Sequence, residues 1–144
     1  MTRTVYLNGD YLPETEANVS IFDRGFVMGD AVYEVTSVLG GQILEFDGHI
    51  ARLTRSLEAL GMTNPMDRAE WLAIHRKLVE LNDMDEGLIY LQVSRGNGGD
   101  RDFAYPPAGT PQTVVLFTQA KPGLAANPQA KTGIRVISIP DLRW

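Results

Sequence analysis

The sequence contains no cysteine and only three lysines, Lys77, Lys121 and Lys131. The lack of cysteine excludes a disulfide framework, a thiolate nucleophile and a metal site with cysteine ligands. No stretch approaches the roughly 18 apolar residues that a membrane-spanning helix needs. Residues 1–11 also lack the apolar run of a secretory signal. We therefore expect a cytoplasmic protein by default.

Positive charge is scarce as well. The 144 residues carry a formal net charge of −5, and the pI is about 4.9. This balance argues against a nucleic acid or an anionic membrane as a partner. The hydrophobic content of 44% is ordinary for a globular protein. The length is sufficient for one domain with a real core.

The order of elements predicts the fold class. A hairpin that turns at Asn8-Gly9 comes first, and a strand over residues 31–39 that turns at Gly40-Gly41 follows. Apolar residues at three- and four-residue steps predict two helices. The buried positions would be Ile50, Leu53, Leu57 and Leu60 in the first helix and Trp71, Ile74, Leu78 and Leu81 in the second. Asp47 is the predicted N-cap of the first helix, and Asp67 with Glu70 reads as a capping-box variant at the start of the second. Further strands are predicted over residues 87–95, 112–119 and 132–139. We therefore predict an α+β fold, with a mostly antiparallel sheet and two helices on one face.

Residues 121–131 read as a linker, because they contain Pro122, Gly123 and Pro128 and show no periodicity. We therefore expect a small N-terminal domain over residues 1–120 and an interdomain linker over residues 121–131. Residues 132–144 would then be the first strand of a larger domain that is truncated here.

The chain is organised around residues 23–35. Asp23, Gly25, Gly29 and Asp30 are turn formers, and from Ala31 onward the side chains alternate as in a strand. One set consists of Ala31, Tyr33, Val35, Ser37 and Leu39, and the other of Val32, Glu34, Thr36 and Val38. The first set mixes a phenol, a hydroxyl and small apolar groups, which suits the wall of a pocket. On this stretch alone, the favoured explanation of Tyr33 is an ordinary half-buried strand tyrosine.

Three motifs follow one another along the chain. They are Asp-Arg-Gly-Phe, Gly-Asp and Val-Tyr-Glu-Val over residues 23–35, His-Ile-Ala-Arg-Leu over residues 49–53, and Gln-Val-Ser-Arg-Gly over residues 92–96. In this order and spacing they resemble the fold type IV pyridoxal-phosphate enzymes, and most of all the D-amino-acid transaminases. Branched-chain aminotransferases and aminodeoxychorismate lyases have the same fold, but the Val-Tyr-Glu-Val run fits the D-amino-acid group better.

The resemblance implies pyridoxal phosphate as the cofactor, no metal, and a ping-pong transfer of an amino group. The donor would be a D-amino acid or an (R)-amine and the acceptor a 2-oxo acid. Arg52 would bind the cofactor phosphate, for which a guanidinium offers a planar fork of donors. Tyr33 and Arg101 would bind the substrate carboxylate. A homodimer is also implied, in which the loop around Arg101 reaches a neighbouring site.

Other residues have plainer interpretations, and two depart from the family. His49 is expected to be a structural histidine at the start of a helix, and Arg95 a mostly structural arginine. Phe103 stands where the family has a histidine two positions after Arg101, in a loop with one extra residue. Ser37 stands where some members have a lysine. These departures affect the substrate assignment more than the cofactor assignment.

The lysine that forms a Schiff base in this family has no counterpart among the three lysines present. In the family it follows a strand that ends much like residues 139–144, so we expect it just after Trp144. On this interpretation the chain is the N-terminal part of the enzyme. Alternatively, a second polypeptide supplies the large domain, or the chain is complete and is a non-catalytic binding module.

Overall fold

The computed structural model describes residues 2–126 and 128–140, apart from the side chain of Ala130. The strands are β1 (Thr4–Leu7), β2 (Asp10–Pro13), β3 (Ala31–Leu39), β4 (Gln42–Ile43), β5 (Gly87–Ser94) and β6 (Thr113–Ala120). The helices are α1 (Arg24–Met28), α2 (Phe46–Ala59), α3 (Arg68–Leu81) and α4 (Gln129–Thr132).

The strands form a single sheet in the order β2-β1-β6-β5-β3-β4, and every neighbouring pair is antiparallel. The predicted α+β fold is therefore confirmed. Both predicted hairpins are present, and Gly40 and Gly41 have φ angles of +56° and +67°. Positive φ at two successive turn residues matches the twist of the flanking strands. β4 pairs only with Val38 and Leu39, so most of β3 is a sheet edge on that side.

Helices α2 and α3 cover one face of the sheet. Their buried residues Leu53, Leu57, Trp71 and Leu78 join Ile89, Leu91, Val93 and Leu116 of the sheet in one core. α3 begins with the predicted capping box, in which Asp67 and Glu70 exchange side-chain and backbone hydrogen bonds. The last predicted core position of each helix, Leu60 and Leu81, is instead exposed.

The start of α2 differs from the prediction. The helix begins at Phe46, its N-cap is Glu45, and Asp47 lies in the first turn. Phe46 is buried, and its ring lies 5.1 Å from the ring of His75 in an edge-on arrangement. Because this packing favours a helical Phe46, the helix begins before Asp47. Asp47 forms an exposed ion pair with Arg68 instead of capping the helix.

The other face of the sheet carries a row of rings. Tyr33 of β3 stacks on Tyr90 of β5 at 5.7 Å, and Tyr90 stacks on Phe117 of β6 at 4.9 Å. The guanidinium of Arg3 lies 5.2 Å from the Phe117 ring centre. Tyr33 keeps 66% of its surface exposed, because the helices pack on the opposite side of the sheet.

The strand predicted over residues 132–139 is not formed. Residues 129–132 make the short helix α4, and residues 133–140 contain neither helix nor strand. A strand is stabilised by its partner, and no strand within the described residues pairs with this segment. Its apolar residues, Ile134 and Val136 among them, are exposed. Residues 141–144, which include Trp144, lie outside the described residues, and the division into domains stays a prediction.

Candidate functional site

The turn before β3 is built around the buried carboxylate of Asp23. One oxygen accepts a hydrogen bond from the Gly25 amide at 2.8 Å, which caps α1. The other accepts the hydroxyls of Ser94 at 2.9 Å and Thr113 at 2.6 Å, and so ties the turn to β5 and β6. A Cβ on Gly25 would lie 2.9 Å from both the Asp23 oxygen and the Ser94 side chain. Only glycine fits there without a shift.

A second carboxylate, Asp30, holds two arginines at the start of β3. Its Oδ2 accepts the Nε–H groups of Arg24 at 2.8 Å and Arg95 at 2.7 Å. Burial raises the pKa of Asp30, but these hydrogen bonds outweigh it, so the pKa lies below its ordinary value. Arg95 also donates to the Leu60 carbonyl at 2.8 Å, in keeping with its expected structural role.

Arg24 extends this cluster to the loop after β5. Its Nη1 donates to the carbonyl oxygens of Asp102 at 3.0 Å and Ala104 at 3.2 Å. In the sequence, Asp102 directly follows Arg101, and Asp102 and Ala104 flank Phe103. The buried Arg24 thus fixes the backbone of the loop that carries the predicted carboxylate-binding arginine.

Arg101 itself lies on the surface of that loop. Its Nε donates to the Val27 carbonyl of α1 at 3.4 Å, and its guanidinium lies 4.9 Å from the Phe103 ring centre. Among the described residues, no hydrogen bond or ion pair joins Arg101 to Tyr33 or Arg52. The described residues therefore do not pair Arg101 with either of the other two predicted site residues.

Arg52 is held by β3. Glu34 is 3% exposed and accepts Arg52 Nε on Oε1 and Arg52 Nη2 on Oε2, both at 2.7 Å. Its Oε2 also accepts His49 Nδ1 at 2.8 Å. Burial raises the pKa of Glu34, but the hydrogen bonds from Arg52 and His49 outweigh burial and bring the pKa below its ordinary value. The hydrogen bond to Glu34 in turn raises the pKa of Arg52.

The free side of the Arg52 guanidinium is able to bind an anion. The side chain is 60% exposed, and Glu34 occupies only the Nε–Nη2 edge. A guanidinium has five N–H donors in a fixed fork. Within the described residues Nη1 makes no hydrogen bond, so at least two donors remain for a phosphate or carboxylate. Tyr33, next to Glu34 in the chain, contributes to the electrostatic environment of Arg52.

The three lysines lie elsewhere. Lys77 forms an exposed ion pair with Glu80 on α3, which packs on the opposite face of the sheet from Tyr33. Lys121 follows β6 and Lys131 lies in α4. In the described part of the chain, no group of three or more His, Asp or Glu side chains is placed to hold a metal. Nor is any helix there long and apolar enough to cross a membrane.

Sequence reasoning did not single out Glu34, although the pattern contained a signal. Glu34 falls in the strand set with Val32, Thr36 and Val38, which faces the helices and is largely buried. A carboxylate on such a face requires a charged or hydrogen-bonding partner. The roles of Asp23 and Asp30 were likewise not predicted beyond turn formation, since their partners Ser94, Thr113 and Arg95 lie more than sixty residues away.

The sequence matches a known family and several known proteins. The family model described as amino-transferase class IV matches residues 31–144. The chain is 36% identical over 141 residues to a D-alanine aminotransferase of Bacillus licheniformis, which covers 97% of this chain and 48% of that protein. A D-alanine aminotransferase of Staphylococcus aureus is 30% identical over 140 residues, 97% of this chain and 49% of that protein. The chain spans about half the length of these curated relatives.

Solved structures have the same fold. A branched-chain amino acid aminotransferase from Escherichia coli superposes with a TM-score of 0.76 at 18% identity, over 84% of this chain and 42% of that chain. The branched-chain aminotransferase from Thermoproteus uzoniensis with norvaline gives 0.71 at 19% identity, over 83% and 41%. A further branched-chain enzyme, solved with pyridoxamine 5'-phosphate, gives 0.75 at 19% identity, over 84% and 40%. At these identities the likeness concerns the fold alone.

Proposed function

The chain belongs to the class IV aminotransferase family, and from this we propose that it is the N-terminal half of a pyridoxal-phosphate enzyme that transfers amino groups. The donor would be a D-amino acid, or an (R)-amine, and the acceptor a 2-oxo acid. The pairing of Arg52 with buried Glu34 beside Tyr33 carries the proposal. This pair holds the Arg52 guanidinium at the edge of the sheet with N–H donors left to bind an anion. Arg52 is also the arginine of the family motif, which in the family binds the cofactor phosphate.

The residues present fit the cofactor. Arg52 would hold the phosphate through the donors that Glu34 leaves unused, because a guanidinium matches phosphate oxygens in geometry as well as charge. When bound, pyridoxal phosphate supplies an aldehyde for condensation with amines and an electron-poor ring that stabilises negative charge at the substrate Cα. Glu34 would hold the guanidinium in one orientation through its two hydrogen bonds to Arg52.

Tyr33 and Arg101 are proposed to bind the substrate carboxylate. The phenol of Tyr33 offers an O–H donor, and its ring stacks on Tyr90. Arg101 lies on a loop whose backbone is fixed by Arg24, with Phe103 against its guanidinium. Because no hydrogen bond or ion pair joins Arg101 to Tyr33 among the described residues, we propose that the two meet across a homodimer interface.

The reactive lysine is proposed to come from outside this chain. The three lysines here lie away from Tyr33 and Arg52, and the chain spans about half the length of its relatives. The remaining half, in the same polypeptide or as a second chain, would provide the lysine. Sequencing beyond the Trp144 codon tests this directly: an in-frame lysine shortly after Trp144 supports the proposal, and a stop codon without a companion subunit contradicts it.

The substrate class is tested with the full-length polypeptide. It is assayed with a 2-oxo acid and three donors: D-alanine, L-leucine and (R)-1-phenylethylamine. We expect the highest kcat/KM with D-alanine, because Tyr33 and Arg101 would recognise a carboxylate and the Val-Tyr-Glu-Val motif resembles that of D-amino-acid enzymes. A preference for L-leucine would favour a branched-chain aminotransferase instead. No turnover with any donor would favour a binding module.

A further inference from the structure

The buried carboxylate of Glu34 holds the side chains of Arg52 and His49. Its carboxylate is 3% exposed, and both oxygens are engaged, one by Arg52 Nε and the other by Arg52 Nη2 and His49 Nδ1. The two arginine bonds are parallel and 2.7 Å long. This is the bidentate geometry in which a guanidinium and a carboxylate fix each other's plane.

Arg52 has no other anchor in the described part of the chain. Its side chain is 60% exposed on α2, and the hydrogen bonds of its guanidinium all go to Glu34. A long exposed arginine otherwise samples many rotamers. Ordering it when a ligand binds costs conformational entropy and so weakens the binding. The Glu34 fork removes that freedom before any anion arrives.

His49 completes the arrangement one helical turn before Leu53. It approaches the same oxygen as Arg52 Nη2, from the N-terminal end of α2, at 2.8 Å. The carboxylate is therefore held from two directions by one helix. Because Glu34 lies on β3 and both partners on α2, the three side chains also join the helix to the edge of the sheet.

We propose that Glu34 is a positioning residue, which holds the Arg52 guanidinium with its unused donors directed to the cofactor phosphate. This inference depends on the proposed function, because it assigns the phosphate of pyridoxal phosphate as the anion. It goes further in naming how the phosphate site is preorganised. The site would then consist of Arg52 as the contact, Glu34 as its support and His49 as the support of Glu34.

The test compares two probes on the full-length protein, pyridoxal phosphate and pyridoxal, which lacks the phosphate. Their dissociation constants are measured by equilibrium dialysis for the wild type, Glu34→Gln, Arg52→Ala and the double variant. The Gln amide would place an N–H donor against donors of Arg52 or His49 and so disrupt the fork. Asp47→Asn is the matched control, since Asp47 also forms an ion pair from α2, with Arg68, but this pair is exposed.

We expect Glu34→Gln to weaken pyridoxal phosphate binding about tenfold and to leave pyridoxal binding unchanged, because only the phosphate contacts Arg52. In the Arg52→Ala background, Glu34→Gln should cause no further loss, since residues that act through one another are not additive. The Asp47→Asn control should bind both probes as the wild type does.

Two results would overturn the inference: equal weakening of both probes by Glu34→Gln, or an additive loss in the double variant. Either would make Glu34 a general structural residue. If Glu34→Gln does not fold, Glu34→Asp replaces it, because aspartate keeps the charge but is one methylene too short for the fork. If the wild type binds pyridoxal phosphate no more tightly than pyridoxal, the proposed function itself is wrong, and that outcome is separate from the other two.

Discussion

At the scale of single residues, the buried Asp23 and Glu34 and the half-buried Asp30 each have partners that explain their position. Asp23 accepts two hydroxyls and an amide, Glu34 accepts an arginine and a histidine, and Asp30 holds two arginines. Burial of an unpaired charge is costly, whereas a paired and hydrogen-bonded one is tolerated. The turn and the candidate site thus depend on a few carboxylates with fixed partners.

His75 is the buried polar residue with the clearest pH consequence. It is 1% exposed, and its Nδ1 donates to the Trp71 carbonyl at 2.7 Å. Burial lowers the pKa of His75 to about 4, whereas in the unfolded chain it is about 6.5. Between these values only the unfolded state binds the proton. Stability should therefore fall as the pH drops from about 6.5 to about 4, by about 3 kcal/mol in total.

Urea denaturation followed by tryptophan fluorescence, to which the buried Trp71 contributes, measures this effect. The free energy of unfolding is determined at pH 7, 6, 5 and 4 for the wild type and for His75→Leu, which has no titrating group at that position. We expect the loss of stability over this range to be smaller in His75→Leu by about 3 kcal/mol. Parallel pH dependences of the two proteins would show that His75 does not control acid stability.

At the scale of elements, α1 and the loop after β5 form one unit around Arg24 and Asp30. Arg24 donates to Asp30 and also to the carbonyls of Asp102 and Ala104. The loop thereby depends on a carboxylate at the start of β3, far from it in sequence. This couples the position of Arg101 to the same turn that begins the strand bearing Tyr33.

Asp30→Asn should loosen the loop. The neutral amide cannot balance the two guanidinium groups, and hydrogen bonds to charged groups contribute about 1.5–3 kcal/mol each. We expect tryptic cleavage after Arg101, in the exposed part of the loop, to be about tenfold faster, because proteolysis follows the population of the open form. Cleavage is measured by mass spectrometry over time.

Asp85→Asn is the control, because Asp85 is exposed in the turn before β5. It should be cleaved at the wild-type rate. Cleavage of Asp30→Asn at the wild-type rate would mean that the loop is held in place without the charge of Asp30.

The elements also show what sequence patterns convey and what they do not. The hairpins and the capping box of α3 were predicted, because each is set by residues adjacent in sequence. Helix α1 was not predicted, since five residues are too few for a periodic pattern and its cap lies in a turn. The prediction of a strand over residues 132–139 was wrong, because alternation does not by itself provide a partner strand.

The same distinction holds within the candidate site. The strand face that carries Tyr33 and the helical position of Arg52 followed from period and motif. The link between Arg52 and Glu34 did not, because it joins residues 18 apart on different elements. Whether Arg101 reaches Tyr33 was beyond sequence reasoning, since the geometry depends on how the loop folds and on what packs beside it.

At the scale of the whole molecule, the two faces of the sheet have different roles. One is covered by α2 and α3 and forms the core. The other bears the row of Tyr33, Tyr90 and Phe117, with Tyr33 largely exposed. The candidate site lies at the edge where β3 meets α2, and both Tyr33 and Arg52 are exposed there.

The central claim is that Arg52, held by Glu34, binds the phosphate of pyridoxal phosphate in the full-length enzyme. Hydrogen bonds between charged groups contribute about 1.5–3 kcal/mol, so Arg52→Ala should weaken retention of the cofactor by about 10- to 100-fold. Arg55→Ala, which removes an exposed arginine from the same helix, is the matched control.

The decisive measurement is the visible absorbance of bound cofactor after exhaustive dialysis of the full-length wild type, Arg52→Ala and Arg55→Ala. The wild type and Arg55→Ala should remain yellow, whereas Arg52→Ala should lose its colour and regain it only with excess pyridoxal phosphate. Retention of the colour by Arg52→Ala at the wild-type level, or a colourless wild type that does not take up the cofactor, would contradict the claim.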